Sequence, residues 1–235
     1  MKKLNLLALV AIFVMGFASI SCDSRKSVSM KSDLDSVSFL IGANWGKYHL
    51  SQLKTLPGKP ANLDAMIEGF AKAVKGDSVF LGMSEAEVQT YVNTYVQAAA
   101  AKEAEATLEE GKKFLDENKG KNGVITTESG LQYKVITEGT GEKPTPEDTV
   151  VVNYTLRSLD GTQIESTIGG QPARFPLGGV IPGWREGVSL MPEGSKYMLW
   201  IPSELAYGMQ PPSPAIKPNS TLEFEVELLD VIKKE

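Results

Sequence analysis

The chain has one cysteine, Cys22, and one histidine, His49, among 235 residues. It cannot form a disulfide within itself. A Cys/His zinc site and a cysteine–histidine pair at one catalytic centre are excluded or nearly so. An excess of positive charge is also missing. Lys and Arg number 24 against 29 Asp and Glu, for a net charge of −5. No block of like charge stands out, which argues against a basic nucleic-acid face and leaves no nucleic-acid partner expected. No glycine-rich turn opens a helix as a phosphate loop must. The serines of the C-terminal half, Ser203 beside Glu204 included, lack a histidine base for nucleophilic attack. Carboxylate chemistry stays open, and an enzyme with this inventory is expected to need no metal, thiol, imidazole or cofactor.

What is present is ordinary for a soluble globular protein of one or two domains: 42% hydrophobic and 23% charged residues. Lys2 and Lys3 precede an apolar run from Leu4 to Phe17 broken only by Asn5, then Ala18-Ser19-Ile20-Ser21 and Cys22. A basic flank, a short apolar run and a small-residue exit predict an export signal over residues 1–21. The run is shorter than the roughly 20 residues of a spanning helix. Cys22 at the exit resembles the lipidation cysteine of bacterial lipoproteins, although Ser19 stands where leucine is usual. Lipidation at Cys22 gives a membrane-anchored protein in the periplasm or cell envelope. Cleavage near Ala18 or Ser21 with Cys22 incidental is the alternative.

Residues 22–31 are a polar tether, and helical patterns occupy 32–117. Leu34, Val37, Ile41, Trp45 and Tyr48 recur at spacings of three and four, which places them on one stripe. Leu63, Met66, Ile67, Phe70 and Val74 repeat the pattern after Asn62, a candidate N-cap. Ser84 and Glu87 have capping-box spacing and open a third helix of about 30 residues, roughly 45 Å at about 1.5 Å per residue. Its second half, AAAAKEAEATLEEGKK, reads as a solvated arm. The earlier helices are too short to cover its whole apolar stripe, which favours a homodimer over a monomeric helical domain. Asn118–Thr127, rich in Gly, Asn and Lys, reads as a hinge.

Beyond it, over 128–235, the period changes to two. Val150, Val152, Tyr154 and Leu156 alternate with their neighbours, as do Tyr197, Leu199 and Ile201. Leu222, Phe224, Val226 and Leu228 oppose Glu223, Glu225 and Glu227. One short helical stretch, about Trp184 to Leu190, interrupts the strands. The expected fold class is α+β, an antiparallel twisted sheet wrapped on one short helix, preceded by an all-α domain. Tyr154, Phe175, Val180, Ile181, Trp184, Tyr207, Ile216 and Phe224 gather beside Pro- and Gly-rich loops. By composition alone they are core residues as readily as a pocket.

The segments VVNYTLRSLDGTQIEST, ARFPLGGVIPGW, IPSELAYG and IKPNSTLEFEVELLDV resemble, in order and spacing, the signature of FKBP-type peptidyl-prolyl cis-trans isomerases. The resemblance runs from about Gly130 to Val231. More weakly it reaches back to about Asp35, as in the two-domain bacterial branch that includes the macrophage infectivity potentiator proteins. It implies an FKBP-like domain behind a helical dimerisation domain with a long connecting helix. It also implies rotation about X–Pro bonds of unfolded or extended exported polypeptides, with inhibition by rapamycin-like macrolides. In that pattern Trp184 is the pocket floor under the proline ring, and Tyr154, Phe175, Val180, Ile181 and Phe224 are its walls. Tyr207 is the hydroxyl donor, the Ile216 N–H a second donor, and Glu165 stands where aspartate is usual. The chain departs from the pattern at Ile164 and Ala173, frequent aromatic positions, at Leu205, a frequent tyrosine, and at Lys217, a common proline. A dimeric chaperone or binding module with weak isomerase activity is the alternative reading, and it tolerates such thinning better.

Overall fold

A computed structural model describes residues 29–53, 57, 61–78 and 81–234. The export segment and Cys22 lie outside the described residues. The chain divides into a first unit ending at His49 and a second beginning at Leu50.

Helix α1 (Asp33–Leu53) opens on a reciprocal cap. The Ser32 N–H donates to Asp35 Oδ2 at 2.9 Å and the Asp35 N–H to Ser32 Oγ at 3.2 Å, satisfying two otherwise orphaned donors. Its stripe Leu34, Val37, Ile41, Trp45 and Tyr48 is exposed along its length.

In the second unit, α2 (Leu63–Val74) is capped by Asn62, whose Oδ1 accepts from the Asp64 and Ala65 N–H groups at 3.1 Å. Helix α3 (Glu85–Asn118) starts where the Ser84 N–H donates to Glu87 Oε2 at 2.8 Å. It runs for 34 residues through Gly111. Its second half is not a solvated arm. Ala104, Gly111 and Asn118 are buried at seven-residue spacing, one edge of the helix. A Cβ at Gly111 would overlap Thr221 Oγ1, so the absent side chain is what lets the helix backbone approach.

The segment expected to hinge is folded as well. Asn118 Nδ2 donates to Gln132 Oε1 at 2.9 Å, and Gln132 Nε2 to the Leu115 carbonyl at 2.8 Å. Strand β1 (Val124–Thr126) then pairs antiparallel with β2 (Gln132–Thr137). Backbone groups of 118–127 are thus tied to the sheet.

The remaining strands are β3 (Thr149–Arg157), β4 (Gln163–Ser166), β5 (Ala173–Pro176), β6 (Lys196–Ile201) and β7 (Leu222–Ile232). All pairings are antiparallel, in the order β1-β2-β6-β7-β3-β4. On its outer edge β3 pairs with β5 over Thr149–Val152 and with β4 from Thr155. Between these pairings the Tyr154 N–H turns to Thr167 Oγ1 at 2.9 Å. The inward rows Val150, Val152, Tyr154, Leu156 and Leu222, Phe224, Val226, Leu228 are buried, as alternation requires. They pack on α4 (Pro182–Ser189) through Trp184 and Val188.

The ends of the sheet unit meet at Asp148, which is almost fully buried. Its Oδ2 accepts from the Thr145 N–H at 2.7 Å, the Thr145 hydroxyl at 2.9 Å and Lys233 Nζ at 3.2 Å. Its Oδ1 accepts from the Lys234 N–H at 3.2 Å. Led by the Thr145 N–H and only partly opposed by burial, these donors hold its carboxyl far below the usual carboxylate range. A depressed folded-state value contributes stability above the unfolded value of about 3.9, and the contribution is lost as pH falls below it. Asp148→Asn should therefore lower the urea midpoint at pH 7 and flatten its decline between pH 5 and pH 2. Parallel midpoint profiles for variant and wild type would remove this role.

Candidate functional site: an aromatic pocket on the sheet

A cavity of about 360 Å³ opens beside α4, lined by Tyr154, Leu156, Glu165, Phe175, Gly179, Val180, Ile181, Trp184, Tyr207 and Phe224. Each wall has a local cause. Tyr154 and Leu156 are two apart on β3 and share a face. β7 supplies Phe224 directly across from Leu156, and β4 supplies Glu165 across from the same residue. Phe175 comes from β5. Pro182 occupies the first helical position of α4, where a missing N–H costs nothing. A Cβ at Gly187 would stand 2.8 Å from Leu199 Cδ1. Glycine there brings α4 down onto β6 and seats Trp184, which is 4% exposed, at the cavity floor.

The aromatic rings form a chain of contacts. Phe175 meets Trp184 edge-on at 79° with centroids 5.5 Å apart, and Tyr154 lies 5.9 Å from Phe175 and 6.3 Å from Phe224. Such tilted contacts add to area burial. The ionisable groups of the lining are the two phenols and the Glu165 carboxylate.

Burial, and then hydrogen bonding to and the charge of Glu165, push the Tyr154 phenol well above its ordinary value. Burial, followed by the same carboxylate's charge, also raises Tyr207. Both hydroxyls therefore remain protonated donors through neutral pH. The turn after β4 has other caps. The Tyr154 N–H uses Thr167 Oγ1, and the Ile168 N–H uses Ser166 Oγ at 3.2 Å. Glu165 is thus turned to the pocket phenols while Ser166 and Thr167 hold the turn.

Of the residues singled out in sequence, Tyr154, Glu165, Phe175, Val180, Ile181, Trp184, Tyr207 and Phe224 line this one cavity. Ile216 does not. Its side chain is buried in the core, and its N–H donates to the Ser213 carbonyl at 3.2 Å. Ile164, Ala173 and Leu205 pack on the core as partly buried residues. Leu156 and Gly179 were not singled out. Leu156 is legible, since it follows Tyr154 by two on an alternating strand, whereas Gly179 has no side-chain signal. The cavity can grip a compact apolar ring and present the Tyr207 hydroxyl to a carbonyl, with the Tyr154 hydroxyl engaged by Glu165, and it holds no nucleophile.

The chain is similar to known proteins over both its helical and its sheet regions. Residues 140–229 match the family model of the FKBP-type peptidyl-prolyl cis-trans isomerase, and residues 34–135 match that of the domain amino-terminal to it. The chain is 37% identical over 234 residues to the outer membrane protein MIP of Legionella longbeachae, covering 96% of this chain and 97% of that protein. It is 43% identical over 177 residues to the FKBP-type 22 kDa peptidyl-prolyl cis-trans isomerase of Escherichia coli, covering 72% and 83% respectively. The crystal structure of FkpA from Escherichia coli superposes with a TM-score of 0.68 at 36% identity, covering 87% of this chain and 99% of that one.

Proposed function

The chain belongs to the FKBP-type peptidyl-prolyl cis-trans isomerases and catalyses rotation about X–Pro bonds, and we propose that the pocket floored by Trp184 is where it does so, on exported polypeptides. Amide resonance sets the barrier to rotation at roughly 18–20 kcal/mol. A peptide bond twisted out of plane has lost that resonance, and its carbonyl is reoriented. A site that holds the proline ring and donates to the carbonyl only in the twisted form binds the transition state better than either planar isomer. Trp184, Phe175, Val180, Ile181 and Phe224 take the ring. The Tyr207 hydroxyl donates to the carbonyl, and Glu165 orients the phenols through Tyr154. The Ile216 N–H, engaged by Ser213, donates only by sharing that bond. Rapamycin-like macrolides, which present a similar ring and carbonyl, compete for the same cavity. The observation that carries this reading is the convergence of the aromatic chain and two protonated phenols on one cavity.

A protease-coupled assay on proline tetrapeptides tests it. Tyr207→Phe should lose about 3- to 10-fold in kcat/KM, the worth of one hydrogen bond of about 0.5–1.5 kcal/mol. Glu165→Asp should raise kcat/KM by about threefold and Glu165→Ala should lower it by a similar factor, since sub-ångström placement of the phenols is at stake. Unchanged turnover in both Glu165 variants, with a shifted thermal midpoint, would make Glu165 structural.

Export and anchoring rest on the segment through Cys22 and on similarity to a protein named for the outer membrane. Among the described residues no helix is long and apolar enough to cross a membrane. Diacylated and N-acylated Cys22 would supply the several chains that stable anchoring needs. Cys22→Ala should release the protein to the soluble fraction of cells, and its retention in membranes would end the lipoprotein reading. Residues from about 31 to 100 form the dimerisation region, supported by the exposed stripe on α1 and the match to the amino-terminal family model.

A further inference from the structure

We propose that the docked half of α3 positions the active-site loop, with Asn219 as the positioning residue. The loop runs from Tyr207 to Thr221 between β6 and β7, and it carries Ile216. Asn219 sits in the left-handed region at φ +60°, a conformation that asparagine tolerates better than most residues. Its N–H donates to the Gly208 carbonyl at 2.7 Å, closing the loop on the residue next to Tyr207. Its side chain points the other way, with Nδ2 donating to the Ala104 carbonyl of α3 at 3.2 Å. Two further contacts flank this one. Lys217, beside Ile216, pairs with Glu103 of α3 at 3.5 Å, and Thr221 closes against the bare backbone of Gly111. The loop that holds Tyr207 is therefore fastened at one residue both to itself and to the helix. A carbonyl inside a helix already accepts a backbone bond, so the extra donation from Asn219 is tied to the helix being in place. Lifting α3 frees Asn219 and, through Gly208, loosens the Tyr207 hydroxyl.

This inference rests on the pocket assignment above, and the test separates the two. Asn219→Gly keeps the left-handed backbone and removes only the side-chain donor. It should lower kcat by about five- to tenfold on proline tetrapeptides while KM changes less than twofold. The Tyr207 and Gly208 amide resonances should broaden or double in the full chain. Gly111→Val, which wedges the helix away from Thr221, should act similarly. The double variant should lose little more than either single one, because both act through the same contact. Wild-type kcat in Asn219→Gly, or fully additive losses in the double variant, overturns the inference. Should Gly111→Val fail to fold, the Asn219→Gly kinetics decide alone. Trp184→Ala with wild-type turnover overturns the pocket assignment instead.

Discussion

Trp184→Ala should lose about 30- to 100-fold in kcat/KM on proline tetrapeptides. The indole is the cavity floor and meets Phe175 edge-on. Removing it takes away apolar contact with the proline ring worth about 2–3 kcal/mol, and each 1.4 kcal/mol is about tenfold. The same substitution costs the fold about 3–5 kcal/mol, because a buried ring leaves a cavity behind. Activity must therefore be read at a temperature where the variant is fully folded. Trp184→Phe separates the two effects, keeping an aromatic floor and most of the packing, and should retain activity within about tenfold of wild type. If Trp184→Ala turns over peptides as wild type does, catalysis lies elsewhere on the domain.

The second large effect concerns assembly. A chain beginning at Lys102 should be monomeric by light scattering where the mature protein is a dimer, with tetrapeptide turnover within about twofold. The cut falls before Ala104 deliberately. Ala104, Gly111 and Asn118 belong to the packing of the sheet unit. Starting beyond residue 115 would expose Thr221 and strip Gln132 of the Leu115 carbonyl, leaving buried polar groups unpaired. A mature protein that is monomeric at micromolar concentration would overturn the dimer. A dimeric chain beginning at Lys102 would instead place the contact outside the N-terminal helices.

Strong periodicity made most of the fold legible. The inward positions of Val150–Leu156 and Leu222–Leu228 are all apolar and all buried. The caps Asn62 and Glu87 mark where α2 and α3 begin. Strands β1, β4 and β5 escaped because three or four residues do not establish a period. The docking of α3 escaped for a different reason. Alanine, glycine and asparagine carry no hydropathy signal, yet small side chains are what a close helix contact requires. Trp200 falls between the inward Leu199 and Ile201 and so leaves the core cluster. It is nevertheless buried, since its indole N–H donates to Glu223 directly across the strand at 2.8 Å. The pocket was legible mainly through motif order. Composition could not separate pocket walls from core, because Trp184 and Phe224 are both.

The placement of the chain's three tryptophans has an optical consequence. Trp45 stands exposed on α1, Trp184 faces the cavity, and Trp200 is sealed on the opposite face of the sheet against a carboxylate. Their emission differs accordingly. A solvated indole emits furthest to the red, one in an apolar floor further to the blue, and one beside a carboxylate is shifted by the local field. Single-tryptophan versions of the protein would thus report separately on the helical region, on occupancy of the pocket and on integrity of the sheet. Quenching by a dissolved iodide ion would reach Trp45 only where the helical regions of two chains are apart, and Trp184 only while the pocket stands empty.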